Sequence, residues 1–104
     1  MGQGRHIMKC TVKYSTFFFN DLTVVENYLS QFSETAFTRF MDVLRDRIEN
    51  VKNMPMMYAE YTFAPQYRHI VIDKYVIIYQ FHENENVIYM YRLLHGAQNI
   101  PDYL

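Results

Sequence analysis

The hydrophobic pattern is dominated by the run from Tyr67 to His95, YRHIVIDKYVIIYQFHENENVIYMYRLLH. Three β-type segments, Tyr67–Ile72, Tyr75–Phe81 and Val87–Leu94, are separated by short polar turns at Asp73-Lys74 and His82–Asn86. Successive strand side chains point to opposite sides, so Arg68, Ile70 and Ile72 share one face and Tyr67, His69 and Val71 the other. The segment Tyr75–Phe81 is apolar almost throughout, which predicts a central strand covered on both faces. By the same alternation Arg92 shares a face with Ile88, Met90 and Leu94. Asp73-Lys74 is short enough for a tight hairpin, although Asn-Gly is the preferred pair.

Upstream the period changes. Met8–Tyr14 alternates, with Met8, Cys10, Val12 and Tyr14 on one side and Lys9, Thr11 and Lys13 on the other, a half-buried strand. Ser15 and Thr16 follow as helix N-caps, because a hydroxyl accepts from an unpaired first-turn N–H. Over Phe17–Phe32 the residues Phe18, Leu22, Val25, Leu29 and Phe32 recur at helical spacing. Ser33 opens a second helix, Thr35–Lys52, whose apolar face holds Phe37, Phe40, Met41, Leu44, Ile48 and Val51, with Arg45 and Glu49 as outward i,i+4 partners. Pro55 ends it, since proline cannot continue the hydrogen-bond ladder. Met54–Gln66 has no clear period and reads as a packed loop with a short strand near Tyr58–Phe63.

The predicted fold is α+β in two layers, β-αα-βββ, with a helical hairpin packed on an antiparallel sheet. The remaining chain is too short to cover the opposite sheet face fully, which leaves that face as the natural binding surface. Met1–Ile7, with two glycines and no periodicity, reads as a tag remnant or disordered tail, and 8–104 as a single domain.

Composition narrows the functional classes. The chain has 104 residues, half of them hydrophobic, with 10 tyrosines and 8 phenylalanines, enough to build a core unaided. No apolar run reaches the roughly 20 residues of a membrane helix, so no membrane association is expected. Cys10 is the single cysteine, and no Cys/His spacing suggests zinc. No cofactor or metal is expected, and the location expected is cytoplasmic. The net charge of −1 and pI of about 6.4 mean that any basic patch is local.

Candidate chemistry lies on the three-strand run. Arg68 is either an outer-strand arginine with its head in water or an anion-binding fork on the open face. Arg92 has the same two readings. His95, just past the last strand, has the side-chain type for general acid–base work. Tyr67, Tyr89 and Tyr91 join Arg68 and Arg92 as candidate binding residues, through core packing, an interface or stacking on bases. His69 and His82 read as solvated. No nucleophile–base motif or glycine-rich phosphate loop is present.

In order and spacing, these signals resemble the RelE/ParE toxins of bacterial type II toxin–antitoxin systems. The resemblance is carried by Tyr14-Ser15, Asp21-Leu22, Tyr28-Leu29, Met54-Pro55, Tyr67-Arg68, the hairpin Tyr75–Tyr79, and the ending Arg92-Leu93-Leu94-His95-Gly96 with Ile100-Pro101. That ending looks more like the ParE branch. The resemblance implies the fold predicted above and a cognate antitoxin that blocks the working surface. It also implies one of two activities. ParE-like members poison DNA gyrase, and there the arginines would be contacts. RelE-like members cleave mRNA on the ribosome; there Arg68, Arg92 and His95 would be catalytic, with Tyr103 a further candidate. Where many relatives carry Arg after His-Gly, this chain has Ala97, Gln98 and Asn99, and it lacks a lysine–arginine cluster. Those departures favour a non-enzymatic ParE-like toxin over the nuclease, and leave a non-toxic binding module of the same fold, or a homodimer closing the open face, as further alternatives.

Overall fold

The computed structural model describes residues 9–104. The tail expected at 1–7, and Met8 of the first strand, lie outside the described residues. Strand β1 (Thr11–Tyr14) leads into helix α1 (Thr16–Leu29) and helix α2 (Ala36–Asn53), followed by β2 (Glu60–Tyr61), β3 (Ala64–Ile72), β4 (Tyr75–His82) and β5 (Val87–His95). Two 3-10 turns, Glu83–Glu85 and Ile100–Tyr103, follow β4 and β5. The five strands lie in the order β1-β5-β4-β3-β2, so the apolar β4 is central, as its sequence predicts.

The meander β3–β4–β5 is antiparallel. The sheet as a whole is mixed, because β1 joins it parallel to β5, with Thr11 opposite Val87 and Tyr14 opposite Met90. The physical reason is the long crossover. Two helices and most of the sheet intervene between β1 and β5, so no hairpin dictates an antiparallel approach. The short strand expected within Tyr58–Phe63 is β2, which pairs antiparallel with β3.

Ser15 caps α1 by accepting the Phe18 N–H at 3.0 Å. Phe18 and Val25 are buried and Leu22 and Leu29 pack beside them, but α1 stops at Leu29, and Phe32, expected on this face, stands 67% exposed. In α2, Phe40, Leu44 and Val51 are buried against Ile70, Ile72, Ile77, Tyr79, Ile88, Met90 and Leu93 of the sheet. Fully burying a Val, Leu, Ile, Phe or Met side chain in this way stabilises the fold by about 1.5–3 kcal/mol. The outward pairing differs from the i,i+4 expectation. Arg45 bonds Asp42, one turn back, while Glu49 is taken by Lys9 and Lys52. These exposed pairs each contribute at most about 1 kcal/mol.

The second sheet face is not bare. Ile78, Leu94 and Ile100 form a separate cluster there, with Tyr61, Tyr67, Val76, Tyr91 and Leu104 against it. The C-terminal segment after Gly96 therefore folds back as a partial cover. Among the described residues, no helix is long and apolar enough to cross a membrane.

Candidate functional site

The site is built on the edge of β5. β1 pairs with β5 only as far as Met90, where the chain leaves the sheet to enter α1. The rest of that edge would be left with unpaired backbone groups. Three groups replace the missing strand. The Ser15 N–H donates to the Met90 carbonyl at 3.0 Å, the Ser15 hydroxyl donates to the Tyr91 carbonyl, and Asp21 Oδ2 accepts the Leu93 N–H at 2.9 Å.

Tyr91 is also where β5 bulges. Tyr79 lies opposite Met90 and Ile78 opposite Arg92, so Tyr91 has no counterpart on β4. The extra residue reverses the alternation. Ile88 and Met90 enter the helix-side core, whereas Arg92 and Leu94 belong to the other face, and the face shared by Arg92, Ile88 and Met90 in simple alternation does not exist.

Arg92 and Asp21 form a two-pronged ion pair, Nε to Oδ2 and Nη2 to Oδ1, each at 2.8 Å. Their side chains are only 13% and 12% exposed. The guanidinium also lies 5.2 Å from the Phe17 ring and 5.1 Å from the Tyr103 ring. Hydrogen bonding to Asp21 outweighs burial and raises the Arg92 pKa above its ordinary value. Its charge is thus matched and roofed.

His95 pairs across the sheet with Tyr75, and the two rings meet edge-on at 5.5 Å. Its Nδ1 accepts the Ala97 N–H at 3.0 Å, which places the ring proton on Nε2 in the neutral form. The Gly96 N–H donates to the Lys74 carbonyl at 2.7 Å, and a Cβ at Gly96 would sit 3.3 Å from that oxygen. The close approach accounts for glycine after His95. Arg92, His95 and Tyr103 line one cleft of about 360 Å³ with Val24, Tyr28 and Tyr75.

Arg68 is elsewhere. It lies opposite Tyr79, whose ring is in the helix-side core, whereas Arg92 lies opposite Ile78 in the second cluster. The two arginines therefore project from opposite sheet faces. Arg68 donates to the Tyr58 carbonyl at 2.8 Å and the Met56 carbonyl at 3.5 Å, with Glu60 at 3.9 Å. Beside it, the fully buried Tyr79 donates its hydroxyl to the Pro55 carbonyl at 2.8 Å. Burial pushes the Tyr79 phenol well above its usual pKa, against an opposing pull from Arg68.

Of the tyrosines, Tyr67 and Tyr91 stack at 5.5 Å on the second face, and Tyr91 meets Phe17 edge-on at 5.8 Å. Tyr89 stands apart with His82 at 4.9 Å and the Lys13 ammonium at 5.8 Å. Two residues of the site were not singled out from the sequence: Asp21, which lies off the apolar face of α1, and Ser15 beyond its capping role. The one available signal was an aspartate in the second turn of a helix that follows an edge strand directly.

The model of the ParE toxin of type II toxin–antitoxin systems, parDE, matches residues 12–100. The chain belongs to this family. Its structure is similar to a chain of the intact E. coli RelBE toxin–antitoxin complex (12% identity, 86% of this chain and 99% of that one, TM-score 0.61). It is also similar to chains of the RelBE2 complex of Mycobacterium tuberculosis (17%, 88% and 97%, 0.57) and of the chromosomal ParDE system of P. aeruginosa (14%, 86% and 97%, 0.58). At such identities the likeness is one of fold, and RelE-type and ParE-type structures overlay about equally. No curated protein matches the sequence. Within this ParE-family toxin, then, the two-layer α+β fold is shared, and the roles of Arg68, Arg92 and His95 must come from their own surroundings.

Proposed function

We propose that this chain is a toxin restrained in the cytoplasm by a cognate antitoxin, and that it acts on DNA gyrase by protein contact without catalysing a reaction. The observation that supports contact over catalysis is the engagement of both arginines and the separation of Arg68 from Arg92 and His95. Phosphodiester cleavage needs cations free to meet the phosphate and a general acid or base near the ribose 2′-hydroxyl. Arg68 and Arg92 lie on opposite faces, Arg68 spends its donors on loop carbonyls, and Arg92 is paired and roofed. Gyrase as the target rests on the family. An antitoxin partner is supported by the large exposed side chains Phe19, Val24, Phe32 and Phe63, which favour a covered state.

The RNase reading keeps one favourable observation, the shared cleft of Arg92, His95 and Tyr103. Expression without antitoxin, read by plasmid supercoiling and by transcript integrity, separates the two. The expected result is loss of supercoiling with intact transcripts, unchanged in His95→Ala. Cleaved transcripts with normal supercoiling, and their rescue by His95→Ala, would reject the proposal.

A further inference from the structure

The loop that joins α2 to β2 has a fixed backbone and free side chains. Its carbonyls at Pro55, Met56 and Tyr58 are held from beneath by the Tyr79 hydroxyl and the Arg68 guanidinium. Its methionines project the other way: Met54, Met56 and Met57 are 61%, 50% and 49% exposed. With Pro55 and Phe81 they line an open groove of about 490 Å³. A second groove, about 240 Å³ and polar, continues from it, sharing Met56, Phe81 and Glu83 and adding Glu60 and Arg68.

The charges in this surface are arranged with one sign outward. Among the described residues, Arg68 is the one cation lining either groove; its side chain is 23% exposed, turned in to the carbonyls and 3.9 Å from Glu60, whose own side chain stays 61% exposed. Glu83 lines both grooves from the exposed turn after β4. Unbranched methionine side chains adapt to varied aliphatic and aromatic surfaces. A pinned backbone lowers the ordering cost of binding.

We propose that the Met54–Met57 loop with Phe81, Glu60 and Glu83 is a docking platform for a cationic amphipathic segment of a protein partner, an aliphatic anchor entering the methionine groove and flanking lysines or arginines meeting the two glutamates. The inference rests on the contact reading above but names a surface separate from the Arg92 cleft. In this role Arg68 and Tyr79 are positioning residues that hold the platform and touch no ligand.

The test uses the full chain and two labelled helical peptides, one of leucine and lysine, the other of leucine and glutamate, read by fluorescence anisotropy. The Leu/Lys peptide binds, more weakly as salt rises, and the Leu/Glu peptide does not. Glu83→Lys weakens binding by about tenfold, the effect of losing one rim charge pair and gaining a repulsion. Met56→Glu, which fills the apolar groove with a charge, abolishes salt-resistant binding. Val24→Glu, in the other cleft, changes nothing. Equal binding of both peptides, no binding of either, or loss in Val24→Glu alone overturns the proposal. So does concentration-dependent self-association, measured by sedimentation, that Met56→Glu removes, because it assigns the platform to a second copy of the chain. Peptide binding is independent of gyrase, so a chain that binds the peptide yet leaves supercoiling alone rejects the gyrase reading and keeps this one.

Discussion

Asp21 is predicted to be the most costly single polar residue to remove. Asp21→Ala leaves the Arg92 guanidinium without its carboxylate at a site about one-eighth exposed, and leaves the Leu93 N–H on the β5 edge without an acceptor. Orphaning one partner of a buried ion pair costs about 3–5 kcal/mol, and residual exposure places this pair at the lower end. An unsatisfied backbone donor costs about 1–3 kcal/mol more, less where water reaches it. The expected loss is about 3–4 kcal/mol, against the 5–15 kcal/mol that hold a typical domain together.

Arg92→Met removes the charge and keeps some packing against Phe17 and Tyr103. The double variant Asp21→Ala/Arg92→Met orphans neither charge, and should be more stable than the sum of the single losses implies, by about 2 kcal/mol of coupling. Asp21→Asn/Arg92→Met retains an acceptor for Leu93 and should exceed the Ala/Met double by about 1 kcal/mol. Urea unfolding followed by far-UV circular dichroism, compared at constant m-value, measures each. Additivity of Asp21→Ala and Arg92→Met within about 0.5 kcal/mol would refute the ion-pair argument. Equal stability of the two doubles would refute the strand-replacement role.

Two further outcomes follow from buried groups. Tyr79 carries a raised phenol pKa in the folded state, so its contribution is fully present below the unfolded value near 10 and is lost as pH rises above it; alkaline unfolding should therefore set in above about pH 10, and Tyr79→Phe should lower stability at neutral pH by about 1 kcal/mol while shallowing that alkaline limb. Cys10 is 4% exposed, donates its thiol to Asn86 Oδ1 at 3.0 Å and has its pKa raised by burial; its reaction with an aromatic disulfide reagent should be slow in the native chain and fast in urea, and a fast native reaction would contradict the packing of β1.

Local pattern alone determined much of this molecule. The helical spacing of Phe40, Leu44 and Val51, the apolar run of β4 and the polar turns at Asp73 and Glu83 each report a side chain's relation to its near neighbours, which periodicity records. The element types, their order, the central strand and the α+β layering followed from it, and the ending Arg92–Gly96 pointed to the family. Three features were decided only in three dimensions. The parallel entry of β1 depends on where two helices return the chain. The bulge at Tyr91 carries no glycine or proline mark, yet by one unpaired residue it moves Arg92 to the other face. The partners of the two arginines, Asp21 for Arg92 and the Met56 and Tyr58 carbonyls for Arg68, come from other elements, and backbone carbonyls have no signature in a sequence. A sequence can place a charge on a strand; whether that charge is free or already satisfied is a property of what the fold brings against it.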